Sequence, residues 1–135
     1  MVKVSKQTIT SGKRKCAVAR AVLKPGTGKV KVNGIDLEVY TPEFSRLKIQ
    51  TPLILAEDVA KKYDINIRVN GGGFNSCAEA SALAIAKSLV KQNKGLEKVF
   101  LEYDRQLLVA DVRRKEVRKP NRHGKARSKR QKSYR

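Results

Sequence analysis

Residues 70–79 read NGGGFNSCAE, with three glycines in a row between an alternating apolar stretch and a helix-start signal. Gly71, Gly72 and Gly73 would expose backbone N–H groups, and a helix N-terminus behind them adds partial positive charge. Such a turn can hold a phosphate. However, no Walker lysine with Ser or Thr follows, and the spacing is not G-x-G-x-x-G. Three readings stand for the triplet: a tight structural turn, an RNA-phosphate contact, or a nucleotide pocket.

A second cluster is Gly12-Lys13-Arg14-Lys15, which opens an apolar stretch read as the first long strand. Three adjacent cations there form either a solvated loop or a phosphate-binding edge. Arg20, further along that stretch, is either a paired structural arginine or a continuation of the same surface. Catalytic groups are poorly supplied. The single histidine, His123, lies in a basic segment with no acid nearby to orient it. Asp58, Asp64 and Asp111 have no evident partner for acid–base work, and salt bridges to a lysine-rich body account for them. Cys16 and Cys77 form no C-x-x-C pair and read as buried or half-buried free thiols. With His123 they are too few for a zinc site. The chain is therefore expected to be no enzyme and to carry no cofactor or metal.

Charge points to the partner. The chain has 135 residues, with 31 Lys and Arg against 12 Asp and Glu, a formal charge of +19. A body this cationic repels itself unless an anion neutralises it. Nucleic acid is the first expectation and an anionic membrane surface the second. The excess is concentrated: residues 113–135 hold 12 basic residues and one acid, Glu116. That segment has Pro120 and Gly124 as breakers and almost nothing apolar to bury, so it is expected to be disordered when free. Its Arg113, Arg114, Lys115, Arg118, Lys119, Arg122, Lys125, Arg127, Lys129 and Arg130 are candidate RNA contacts. Arginine forks onto phosphate, lysine adds point charge, and Tyr134 can stack or hydrogen-bond. The rival reading is a nonspecific solubilising or localisation tail. No apolar run approaches the roughly 20 residues that span a bilayer, and MVKVSKQTIT has no continuous apolar core. A cytosolic, membrane-free protein is expected.

The elements that must position these groups follow from periodicity. CAVARAVL at 16–23 is β-compatible, and KPGTGK after it is a turn. Alternation over KVKVNGIDLEVY, with Asn33-Gly34 inside it, signals a hairpin. These stretches predict three antiparallel strands. Thr41-Pro42 and Thr51-Pro52 place a hydroxyl before a proline, predicting a short helix, a break at Pro52, and a second helix to about Lys62. Tyr63, Ile65, Ile67 and Val69 alternate with polar residues and predict a half-buried strand. Ser76 and Glu79 have capping-box spacing ahead of a helix whose stripe is Ala78, Ala82, Ile85 and Leu89. Leu96, Val99, Phe100 and Tyr103 predict another helix, and Leu107–Val112 is apolar enough to dock. The expected fold is α+β, a four-stranded sheet with helices packed on one face. Residues 1–112 form the globular domain and 113–135 an extended basic tail.

These residues resemble the universal small-subunit ribosomal protein nine family, in its archaeal and eukaryotic form. The likeness runs along nearly the whole chain. It rests on SGKRKCAVARAVLKPGTGKVKVNG, YDINIRVNGGG, LLVADVRRKEVRKP and QKSYR, in that order. It implies a ribosomal-protein-S5 domain-2-like fold and a cytoplasmic, ribosomal location. It implies binding to ribosomal RNA in the head of the small subunit, among neighbouring head proteins. It also implies a tail that reaches peptidyl-site tRNA, with Lys132 and Arg135 as the tRNA-contacting residues. A duplex-DNA binder and a small-molecule kinase are the rival functions.

Overall fold

Strand β1 (Thr8–Arg14) turns back at Lys15 and Cys16 into β2 (Ala17–Pro25), with Arg14 opposite Ala17. This computed structural model describes residues 7–122, 124, 126 and 127. β1 was not expected from its sequence, and it makes the sheet five-stranded rather than four-stranded. The reason lies in its inverted pattern. Ile9 points to solvent, while Thr10 and Gly12 face the core. The Thr10 hydroxyl donates to the Ala84 carbonyl at 2.8 Å, and a Cβ on Gly12 would sit 2.1 Å from the Ala80 carbonyl. A helix lies so close to this strand that the inward positions must be small or hydrogen-bonded. Hydrophobic alternation cannot report such a strand. Lys13 and Arg14 consequently close β1 rather than opening the following strand.

Strands β3 (Val30–Val32) and β4 (Ile35–Asp36) form the expected hairpin, with Asn33 and Gly34 at φ 51° and 85°. Leu37–Val39 turns into a short 3-10 helix instead of extending the strand. The sheet order is β1-β2-β5-β3-β4, where β5 is Tyr63–Asn70. Thus β2 and β3 do not pair with each other, as three consecutive antiparallel strands would. β5 lies between them, antiparallel to β2 and parallel to β3. Its inward Ile65, Ile67 and Val69 are buried, as a central position requires. The loop that crosses its end is tied to it: Asp64 Oδ1 accepts from the Thr27 and Lys29 amides, each at 2.9 Å. Those two amides, Lys29 first, hold the Asp64 carboxyl below its ordinary value.

Helix α1 (Glu43–Leu55) runs through Pro52, which is fully buried with Ile49 and Ser45. The break comes at Ala56, before the single turn α2 (Glu57–Ala60). Thr51 does not cap a helix; its hydroxyl donates back to the Leu47 carbonyl at 3.1 Å. Helix α3 (Phe74–Gln92) starts directly after Gly73, so Ser76 is buried in its first turn and no side chain caps it. The stripe Ala78, Ala82, Ile85 and Leu89 is buried as expected. α3 lies across β1, β2 and β5, and α1 packs on α3. Helix α4 (Leu96–Tyr103) buries Phe100, and a 3-10 turn follows at Arg105–Leu107. Only the start of the next stretch docks: Leu107 is buried, whereas Val112 is 89% exposed. Of the thiols, Cys77 is half-buried as expected, but Cys16, on the hairpin turn, is exposed.

Candidate nucleic-acid interface

The face of the sheet away from α3 carries no helix among the described residues. Alternation places Arg20 and Lys24 of β2 and Asn66, Arg68 and Asn70 of β5 on it. With Lys31 and Asn33 of the hairpin they line one broad hollow. Arg20 and Arg68 are direct cross-strand partners, and both are exposed. Like charges opposite each other cost stability unless an anion bridges them. Among the described residues, no carboxylate forms an ion pair with either. Lys31 is the exception on this face, with Asp36 at 3.4 Å. The face displays amides and cations around Ile9 and Val22, and no aromatic ring among the described residues, so it suits phosphate and ribose oxygens rather than stacked bases.

A second basic region forms where three distant segments meet. Gly71 and Gly72 have φ of 74° and 72°, and their backbone lies against the β1–β2 turn. A Cβ on Gly71 would be 2.6 Å from the Cys16 carbonyl, and one on Gly72 would be 2.9 Å from the Ala17 Cβ. The Cys77 thiol donates to the Gly71 carbonyl at 3.2 Å, and burial pushes that thiol up. Two of the three glycines are thereby required by the turn itself. Gly73 is not: its φ is −103°, and a Cβ placed there would have nothing within 4 Å. From the other side, Arg114 Nη1 donates to the Lys15 carbonyl at 3.1 Å and ties the root of the tail to the same turn.

Arg14 is the inward residue of that hairpin end. Its Nε donates to Glu79 at 2.6 Å, and its Nη1 lies 2.8 Å from Asp111 without hydrogen-bond alignment. Lys48 joins Glu79 from α1 at 2.8 Å. Burial opposes ionisation of Glu79, but hydrogen bonds from Lys48 and Arg14 outweigh it and hold the carboxyl below its ordinary value. The Arg113 guanidinium, then its backbone amide, holds Asp111 well below the usual carboxylate range. These contacts give Arg14 a structural role that its sequence position did not reveal. The cations left open at this corner are the exposed Lys13 and Lys15.

In the tail, Arg113 pairs with Asp111 at 2.7 Å, and Glu116 takes Lys119 at 2.9 Å and Arg127 at 3.0 Å. Lys115, Arg118 and Arg122 are exposed. His123, Lys125, Lys129, Arg130, Lys132, Tyr134 and Arg135 lie outside the described residues. Lys24, Lys31, Arg68 and the asparagines around them were not among the candidates read from the sequence. The available signal was the polar half of the β5 alternation, which must face outward once helices cover the other side.

The basic corner, the tail root and the tail all fall within residues 12–135, the span matched by the family model for ribosomal protein S9/S16. The chain belongs to the ribosomal protein S9/S16 family. It is 52% identical over 129 residues to the small ribosomal subunit protein uS9 of Thermoplasma volcanium, covering 94% of this chain and 97% of that one. It is 51% identical to the corresponding protein of Thermoplasma acidophilum, covering 94% of this chain and 99% of the other. That of Pyrobaculum aerophilum is 48% identical, over 94% and 90% of the two chains. These archaeal relatives agree with the resemblance read from the motifs. Membership makes this a ribosomal protein, a structural component and not an enzyme. Among the described residues no helix is long and apolar enough to cross a membrane.

Proposed function

We propose that this chain is built into the head of the small ribosomal subunit. There the open sheet face and the basic corner bind ribosomal RNA. Residues 113–135 run on as an extended tail toward the peptidyl-site tRNA. The observation that carries this is the distribution of positive charge on the family's frame. Two arginines with no carboxylate partner among the described residues face each other on an uncovered sheet, and the tail adds 12 basic residues to one acid. RNA phosphates relieve both kinds of repulsion. The RNA-contact set is Lys13, Lys15, Arg20 and Arg68 on the body, with Arg113, Arg114, Lys115, Arg118, Lys119, Arg122, Lys125, Arg127, Lys129 and Arg130 in the tail. Gly73 has room for close approach of a phosphate, whereas Gly71 and Gly72 serve the turn that presents it. Lys132 and Arg135 are the proposed tRNA contacts. About 20 extended residues span some 60 Å, enough to leave the body far behind.

The nucleotide-pocket alternative loses its main support, because packing on Cys16 and Ala17 accounts for two of the three glycines. The deciding experiment is fractionation of ribosomes from cells expressing a tagged chain. Sedimentation with small subunits through a high-salt wash is the expected result. A chain that stays at the top of the gradient, or that prefers duplex DNA to structured RNA, would overturn the proposal.

A further inference from the structure

Four cations of the open sheet fall on one diagonal. Arg20 of β2 and Arg68 of β5 stand opposite each other in the register. On β1, Ser11 is the partner of Arg20, so Lys13 sits one strand over and two residues along. On β3, Lys31 is the partner of Asn66, so it sits one strand beyond Arg68 and continues the same slope. The neighbours Gly12, Ala19, Ile67 and Val32 are buried, which leaves all four basic side chains on the outer face. Direct cross-strand partners are about 5 Å apart and diagonal ones about 7–8 Å, so Lys13, Arg20, Arg68 and Lys31 draw one line of about 20 Å across four strands.

The groups beside the line select its occupant. Among the described residues no carboxylate pairs with Lys13, Arg20 or Arg68. Lys31 meets Asp36 at 3.4 Å, but these side chains are 42% and 59% exposed, and a pair so exposed is worth little. Asp36 lies on the next strand, β4, and marks where the positive line ends. Lys24 is off the line, opposite Asp64. Asn66 and Asn70 flank Arg68 on its own strand, and their amides both donate and accept. A carboxylate only accepts, whereas a ribose hydroxyl does both. Successive anions with hydroxyls between them describe the backbone of an RNA strand rather than an acidic peptide. With no aromatic ring on this face among the described residues, the bases turn away and stay free to pair. At the Lys13 end the line reaches the β1–β2 turn, where Lys15 is exposed and Arg114 donates to the Lys15 carbonyl. The line and the tail therefore share one corner.

We infer that a single RNA strand crosses the open sheet along this diagonal, from the tail root to Lys31, with its phosphates on the cations and its bases outward. Four cations neutralise on the order of four consecutive phosphates. Contacts of this kind position the RNA and carry no sequence preference. The inference rests on the RNA-binding reading above and adds Lys31, a direction and a restriction to one strand.

Phosphate ethylation interference tests it, with the full chain and a fragment of small-subunit head RNA treated with ethylnitrosourea. An ethylated phosphate loses its charge, so RNA ethylated at a contact is depleted from the complex. The tail has contacts of its own, so the run that belongs to the sheet is the one erased when Arg20 and Arg68 are both changed to alanine. That run is expected to be consecutive and confined to one strand. Lys13→Ala should erase interference at one end of it and Lys31→Ala at the other. Loss of interference on both strands, no loss in the paired variant, or loss at the same end for Lys13→Ala and Lys31→Ala would overturn the inference. Sedimentation of the same chains with small subunits separates it from the reading it rests on. A chain that enters subunits without such a run overturns the inference alone and leaves the face to an acidic protein segment. A chain that neither binds the RNA nor enters subunits overturns both.

Discussion

Gly72 and Gly73 are adjacent in sequence and opposite in what they tolerate. Gly72 sits at φ 72° with Ala17 almost in contact, so Gly72→Val meets both a disfavoured backbone and a clash. A loss of about 1–3 kcal/mol is expected, the range for a side chain forced into a strained conformation. Gly73→Ala has open space and an ordinary backbone, and should leave the melting temperature little changed. Thermal unfolding of the two variants, followed by assembly into subunits, separates the turn's structural role from any RNA contact at Gly73. Arg14 is the other decisive residue. Arg14→Ala removes a charged hydrogen bond to Glu79, with an expected loss of about 1.5–3 kcal/mol. Glu79 and Asp111 both titrate below their ordinary values when folded. Their contribution is therefore complete above the unfolded carboxylate range and disappears as pH falls through the lower folded values. Melting temperature should hold from neutrality to about pH 5 and then drop, and Arg14→Ala should blunt that drop. An equally steep acid transition in the variant would contradict the network.

At the scale of the element, the open sheet is expected to act as one electrostatic surface. If the whole protein neutralises on the order of 8 phosphates, the slope of log K against log salt is about −6 to −7. Replacing Arg20 and Arg68 together with alanine should reduce its magnitude by about 1.5–2. The same pair of changes should leave folding intact or slightly stabilise it, because each removes a like charge from the other's cross-strand position. Filter binding to a head-domain RNA fragment across a salt series, with parallel melting curves, checks both statements. An unchanged slope would move the interface away from this face.

For the whole molecule, the body and the tail should separate cleanly in function. Truncation after Val112 keeps Arg14 beside Glu79 and Asp111 but takes Arg113 from Asp111 and Arg114 from the Lys15 carbonyl, so the body is expected to fold with a modestly lower melting temperature while the salt slope falls by several units. The tip makes a narrower prediction. Removing Arg135 should leave assembly intact and weaken peptidyl-site tRNA binding by about 1.5–3 kcal/mol, the range for a hydrogen bond to a charged group. Arg135→Lys should keep part of the affinity and Arg135→Glu should be worst, since only arginine offers the fork. Equal tRNA affinity of subunits carrying wild-type and Arg135→Glu chains would remove the contact.

Features encoded by short-range physics were legible along the chain. Asn33-Gly34 specified a hairpin because both positions need positive φ, and the structure has it. The α3 stripe and the β5 alternation could be read because one face of each is buried at a regular period. The basic tail and the family motifs showed as composition and order. Other features depend on partners far apart in the chain, and folding in three dimensions settled them. β1 exists as a strand because its small inward residues let α3 come close, a relation between positions 10–12 and 80–84 that no local pattern records. β5 enters between β2 and β3 because a strand buried on its inner face by Ile65, Ile67 and Val69 belongs in the middle of the sheet, and Asp64 ties down the loop that crosses it. Arg14 read as one of three equivalent cations until Glu79 and Asp111 were brought beside it. Charge and periodicity are properties of a segment, whereas the pairing of a charge is a property of the space into which the chain folds.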